Sequence, residues 1–225
     1  MSRYALAVAL AGTLVPGAPL RAQTTSFVDP VDLQSRFEMQ VNLDLPRRWE
    51  MSLGYELRLT DNASSYHGSY FSGELRRSVG SHLSVFGNYR LARLTDEVAH
   101  RFGIGAELET KRGRVHLSLR PLFQFQKKVL DDAEQDVQQV LRTRVKISLA
   151  AARHVKVYGS VEPYFAFSGL YPIDNWRNTA GVQWEFRKDL TLDLYYIYRP
   201  DYGRFYNRTF HILGVAMSID LKPRL

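Results

Sequence analysis

The sequence predicts an all-β fold, an antiparallel up-and-down transmembrane β-barrel of ten to twelve strands. Three observations predict it. Apolar and polar residues alternate over long stretches, turn signals interrupt these stretches regularly, and the interruptions alternate between short and long along the chain. Period-two alternation puts successive side chains on opposite faces of a strand. Short turns at one end and longer loops at the other are the pattern of an outer-membrane barrel, periplasmic below and extracellular above.

The first hairpin sets the pattern. Leu33, Phe37, Met39, Val41, Leu43 and Leu45 share one face; past Pro46-Arg47-Arg48, Trp49, Met51, Leu53, Tyr55, Leu57 and Leu59 share it too. Between them stand Gln34, Arg36, Glu38, Gln40, Asn42 and Asp44, then Glu50, Ser52, Gly54, Glu56 and Arg58. The second hairpin sets Phe71, Leu75 and Val79 against Ser72, Glu74 and Arg76, turns at Gly80-Ser81, and continues with Leu83, Val85, Tyr89 and Leu91 against Ser84, Asn88 and Arg90. In the third, Phe102, Ile104, Ala106 and Leu108 oppose Arg101, Glu107 and Glu109; after Lys111 to Arg114, Val115, Leu117, Leu119, Phe123 and Phe125 oppose His116, Ser118, Arg120, Gln124 and Gln126.

The fourth hairpin opposes Val137, Leu141, Val145, Ile147 and Leu149 to Arg142, Arg144 and Lys146. Its return strand opposes Val155, Val157, Val161, Phe165 and Phe167 to Lys156, Tyr158, Glu162 and Tyr164. The fifth carries Trp176, Ala180, Val182, Trp184 and Phe186, turns at Lys188-Asp189, and returns through Leu190, Leu192, Leu194, Tyr196 and Tyr198. Opposite lie Arg177, Gln183, Glu185, Arg187, Asp193 and Arg199. A last strand runs from His211 to Leu221.

About eleven strands are visible, and an odd count would leave the termini on opposite sides. The expected barrel is therefore twelve-stranded, its weak first strand drawn from Thr24 to Val31, unless that segment threads the lumen instead. Short connections fall near 46–48, 80–81, 111–114, 150–154 and 188–189, and longer ones near 60–69, 94–98, 127–135, 168–175 and 200–207. Pro121 and Pro163 lie inside strands of a barrel without free edges, which predicts bulges there.

Composition narrows the class. The chain is 45% hydrophobic and 12% aromatic, with no Cys, so disulfide frameworks and thiolate metal sites are excluded. Residues 1–22 read as a secretory signal peptide: Arg3 is a minimal basic region, Ala5 to Val15 a short apolar core, and Ala22-Gln23 the cleavage junction, with Leu20 less suited to its place than Ala. Residues 23–32 are an N-terminal segment or the weak first strand, and 33–225 the barrel. No other stretch approaches the roughly 18 consecutive apolar residues of a spanning helix. Two of the 30 basic residues, Arg3 and Arg21, fall in the leader, which takes the net charge from +7 to +5. In an exported chain, nucleic acid is the least expected partner of a basic balance.

Alternation alone leaves open which face is inside. Lipid against the apolar face is favoured by export, by a strand number above the roughly eight whose interior side chains can fill, and by aromatics near strand ends. Trp49, Tyr89, Phe125, Phe167, Trp176, Phe186 and Tyr198 are the expected interfacial girdles. The lumen is then lined by Arg36, Glu38, Glu56, Arg58, Glu74, Arg76, Arg90, Glu107, Arg120, Arg142, Arg144, Glu162, Arg177, Glu185 and Asp193. Arg dominates over Lys on this face, and its planar fork suits bidentate pairing with carboxylates in a confined space. The location expected is the bacterial outer membrane. Its lipid and lipopolysaccharide would be the surroundings and the barrel-assembly machinery the partner in biogenesis.

Several stretches carry a resemblance to a known family: Trp49-Glu50-Met51-Ser52-Leu53, His100-Arg101, Val161-Glu162-Pro163-Tyr164-Phe165, Asn175-Trp176-Arg177 leading to Gly181, and His211-Ile212-Leu213-Gly214. With these the chain resembles a family of small outer-membrane β-barrels of Gram-negative bacteria, a domain of unknown function. The resemblance implies fold and location and supplies no activity.

Catalytic signals are sparse. His116-Leu117-Ser118 has the spacing by which outer-membrane lipid hydrolases set a His beside a Ser. Parity, however, turns both inward, away from lipid, and no orienting acid stands at a motif spacing. Asp131, Asp132, Glu134 and Asp136 form an acidic run without the Gly turn of a calcium loop, so a solvated loop is the expected reading; on the outer side such carboxylates could also share divalent cations with lipopolysaccharide phosphates. The scattered His67, His82, His100, His154 and His211 have no metal-ligand spacing. Tyr158, Tyr164 and Tyr195 line the lumen, either along a solute path or packing it closed. The expectation is a non-enzymatic barrel without cofactor or metal, its lumen largely filled by Arg/carboxylate networks. A narrow small-solute channel and an outer-membrane lipid hydrolase are the alternatives.

Overall fold

A computed structural model describes residues 31–95, 97–129, 137–167, 173–201 and 208–222. Each alternating stretch is a strand: β1 (Val31–Leu45), β2 (Trp49–Thr60), β3 (Ser65–Ser78), β4 (Leu83–Leu94), β5 (Val98–Arg112), β6 (Val115–Val129), β7 (Val137–Ala152), β8 (Val155–Ala166), β9 (Ile173–Arg187), β10 (Leu190–Asp201) and β11 (Arg208–Leu221). Consecutive strands pair antiparallel, and β1 and β11 close the ring. Among the described residues no helix is long and apolar enough to cross a membrane.

The closure settles the parity of the ends. β1 pairs with β11 in parallel, with Phe37 beside Val215, Met39 beside Met217 and Val41 beside Ile219. A parallel pair joins strands entering from the same end, so eleven strands close without a twelfth between them. Val31, expected in a preceding strand, belongs to β1, and residues 24–30 lie outside those described.

Two further expectations change. The connection near 60–69 is a tight turn at 61–64, because Asp61, Asn62 and Ala63 all take left-handed backbone angles and β3 starts at Ser65. Asp32 holds this turn, accepting from the Asn62 amide at 3.0 Å and the Thr60 hydroxyl at 2.7 Å. The prolines do not bulge. Pro121 keeps register with Thr143 of β7, and only its contact toward β5 is lost, between the Gly105–Leu122 and Leu108–Leu119 pairs. Pro163 stays in register with Trp176, and the β8–β9 slip falls after Tyr164. A missing N–H removes one ladder bond, which a neighbouring strand tolerates without an inserted residue.

The apolar faces point outward. Phe71, Ile104, Leu117, Ile147, Val182, Leu194 and Leu213 are exposed in a continuous belt, Ile104 to 67%. The inward face is polar but not uniformly so. Phe86, Leu122, Ile197 and Ile212 also point in, and Ile212 is fully buried.

Candidate functional site

The charged residues expected on the inner wall stand on inward-facing positions and gather into networks. In the half nearer the long connections, Glu56 of β2 accepts from Arg58 and from Arg90 of β4, with Arg36 of β1 at 3.8 Å. Lower down, Glu74 of β3 and Glu107 of β5 share Arg76 and Arg120. Arg76 reaches Glu74 at 3.2 Å and Glu107 at 2.7 Å, Arg120 reaches Glu107 at 3.3 Å and also bonds Glu74, and Arg144 of β7 stands 3.8 Å from Glu107. On the next strands Arg142 donates to Glu162 at 2.7 Å and to the Gln124 amide oxygen at 3.3 Å. Asp193 accepts from Tyr158 and Gln183, and Glu38 from Tyr195. Glu185 is the exception, since it meets Lys156 near the short turns, at the rim of the lumen rather than in its interior.

Rings separate these charges. Tyr70 lies between Arg58 and Arg90, at 3.9 and 4.5 Å, and Tyr164 between Arg142 and Arg177, both at 4.5 Å. Phe86 lies under Arg120 at 3.9 Å. A guanidinium on a ring face is attracted by the π quadrupole while its edge stays free to donate.

The rings lie flat because glycine faces them. Phe86 pairs with Gly105, Tyr158 with Gly181 and Tyr195 with Gly214 across the strands. A Cβ on Gly214 would stand 1.9 Å from the Tyr195 ring, and one on Gly181 2.6 Å from Tyr158. Alternation had marked Tyr158, Tyr164 and Tyr195 as inward; Tyr70 and Phe86 were missed because each continues the polarity of its outward neighbours.

His116 and Ser118 point into the lumen, as parity implied. The Glu109 carboxylate is 3.8 Å from His116 Nε2, too far for a hydrogen bond. Among the described residues no cluster of His or carboxylates could hold a metal ion, and the acidic run at 131–136 lies outside them.

The aromatics expected in girdles all stand on outward positions or at strand ends. Trp49 carries Arg77 over its ring at 5.3 Å, and Tyr89 packs on Phe102 at 4.8 Å and shares a 2.8 Å hydrogen bond with His100. Phe123 joins Phe125 and Phe167, Trp184 joins Phe186, and Tyr198 meets His211. Phe102, Phe123 and Trp184 extend the expected set.

Residues 34–208 match the model of a family described as proteins of unknown function, DUF2490. The chain belongs to the DUF2490 family. Its fold is that of a porin: it aligns with the NanC porin at a TM-score of 0.56 over 84% of this chain and 99% of that one, at 9% identity. No curated protein matches the sequence.

The DUF2490 barrel is not packed solid. Cavities of about 310 and 470 Å³ occupy its middle and share Arg90, Arg142, Arg144 and Glu162 as walls. A third, of about 630 Å³, opens toward the short turns between Glu109, Lys111, His116 and Lys156, and meets the others at Arg144 and Lys146. Buried lumenal side chains, Tyr70, Val140, Tyr164, Ile197 and Ile212 among them, gather in the opposite half. Of these three cavities the roomiest is the one near the short turns.

Proposed function

We propose that this DUF2490 protein is a non-enzymatic barrel of the Gram-negative outer membrane, its lumen narrowed by Arg/carboxylate networks to a path for small hydrophilic solutes. The observation that carries the reading is the chain of three cavities joined through Arg142, Arg144 and Lys146. The continuous outward apolar belt supports the membrane, since a soluble monomer rarely exposes so large an apolar surface. In that membrane the outward aromatics serve as the two girdles.

Lipopolysaccharide is the proposed neighbour on the outer side. Arg93, His100 and Lys127 face outward on adjacent strands, nearer the long connections than Tyr89, Phe102 and Phe125, where cations meet lipid phosphates. Insertion would rest on the barrel-assembly machinery. Against hydrolysis stands the inward position of Ser118 and His116, which a membrane ester cannot reach.

Planar-bilayer recording tests the path. Steady, ohmic steps of small conductance are expected; protein shown to be inserted but silent overturns the path. Solubility as a monomer without detergent overturns the membrane assignment itself.

A further inference from the structure

The inner wall carries more positive than negative charge around its three cavities. Around the 310 Å³ cavity stand six arginines, from Arg76 to Arg144, against the carboxylates of Glu50, Glu74 and Glu162. Two of these carboxylates are already engaged, Glu74 by Arg76 and Arg120, and Glu162 by Arg142. The 470 Å³ cavity sets six cationic side chains against four carboxylates, and the vestibule near the short turns sets five against Glu107 and Glu109.

The surplus has an address. Among the described residues, Arg101 and Arg177 have no carboxylate within ion-pair distance. Arg101 is held by the Gln126 amide oxygen at 3.0 Å and Arg177 by the Tyr164 ring. Arg101 lines one cavity, Arg177 the other, and Arg90 and Arg142 line both. Cations crowded without enough counter-charge repel one another, and partial burial raises that cost.

We propose that the junction of the two cavities, framed by Arg90, Arg101, Arg142 and Arg177, binds a small carboxylate anion. Guanidinium forks match the two oxygens of a carboxylate, and the rings that clamp Arg90, Arg142 and Arg177 fix the forks before the anion arrives. The positive vestibule draws the anion in from the short-turn end. The route by which it would pass rests on the solute-path reading above, whereas the site itself does not.

The test is calorimetric titration of succinate, and separately of inorganic phosphate, into the detergent-solubilised protein, beside reversal potentials in a KCl gradient. Saturable succinate binding is expected. Replacing both Arg101 and Arg177 by Gln removes charge without stranding a carboxylate, and should weaken succinate binding at least about tenfold, as expected for losing charged hydrogen bonds. Circular dichroism and heat-modifiable gel mobility should stay unchanged. Should the double variant not fold, Arg177→Gln alone is expected to weaken binding. Chloride should permeate in preference to potassium, and less so in the variant.

No succinate binding, equal binding by a folded variant, or binding of phosphate alone overturns the site. Conductance without succinate binding discards the site and keeps the path. Succinate binding without conductance keeps the site and discards the path.

Discussion

Glu56 is held by three arginines inside the wall, and it illustrates what single residues do here. Removing its charge leaves Arg36, Arg58 and Arg90 facing one another. Glu56→Gln should cost about 3–5 kcal/mol of stability, the range for breaking a buried ion pair, read as a lower urea midpoint in detergent. Glu185→Gln, at a half-exposed rim pair, should cost no more than about 1 kcal/mol. The placement of both was legible, because period-two parity assigns a face without any knowledge of partners. Their difference was not, since a pattern along one strand does not say how far down the lumen a residue sits. Ile212 was hidden for a related reason: an apolar residue between His211 and Leu213 looks like part of an outward run.

At the scale of the element, ring-on-glycine pairs join neighbouring strands across the lumenal face. A methyl group on Gly214 would meet the Tyr195 ring and push its hydroxyl away from Glu38. Gly214→Ala should destabilise by about 1–3 kcal/mol, the usual penalty of overpacking, and Gly214→Ala with Tyr195→Leu should recover part of it. Thermal melts of the single and double variants check this coupling. Most strand boundaries were legible from alternation, the starts of β1 at Val31 and of β3 at Ser65 excepted. The pairs were not, because each joins residues on different strands, and register is set by the turns that connect them. The bulges expected at Pro121 and Pro163 are absent, since a missing N–H takes away a ladder bond without inserting a residue.

For the whole molecule, the seam between β1 and β11 decides whether a barrel exists. Met39 pairs with both Met217 and Tyr55, so it stands in a ladder on each side. Met39→Pro should remove about 3 kcal/mol or more and abolish heat-modifiable migration of the folded form. Alternation and connection lengths were enough to reveal the barrel. Its strand number was not legible to the last unit. Side-chain alternation is the same in parallel and antiparallel pairs, so the closing pair leaves no trace in it. An odd count leaves the termini on opposite sides, and that consideration argued for a strand the ring does not need.

The parallel seam also limits how the chain could be rearranged. In a barrel of even count the first and last strands are antiparallel, and a few residues at one rim could join them, freeing new ends elsewhere. Here Val31 and Leu221 lie at opposite rims. A linker between them would have to traverse the height of the barrel, roughly 25 Å of apolar band, through the lumen that Arg90 and Arg142 already occupy. This topology therefore resists circular permutation, and partner domains fused at Val31 and Leu221 would be held at opposite rims of the ring, a full strand length apart.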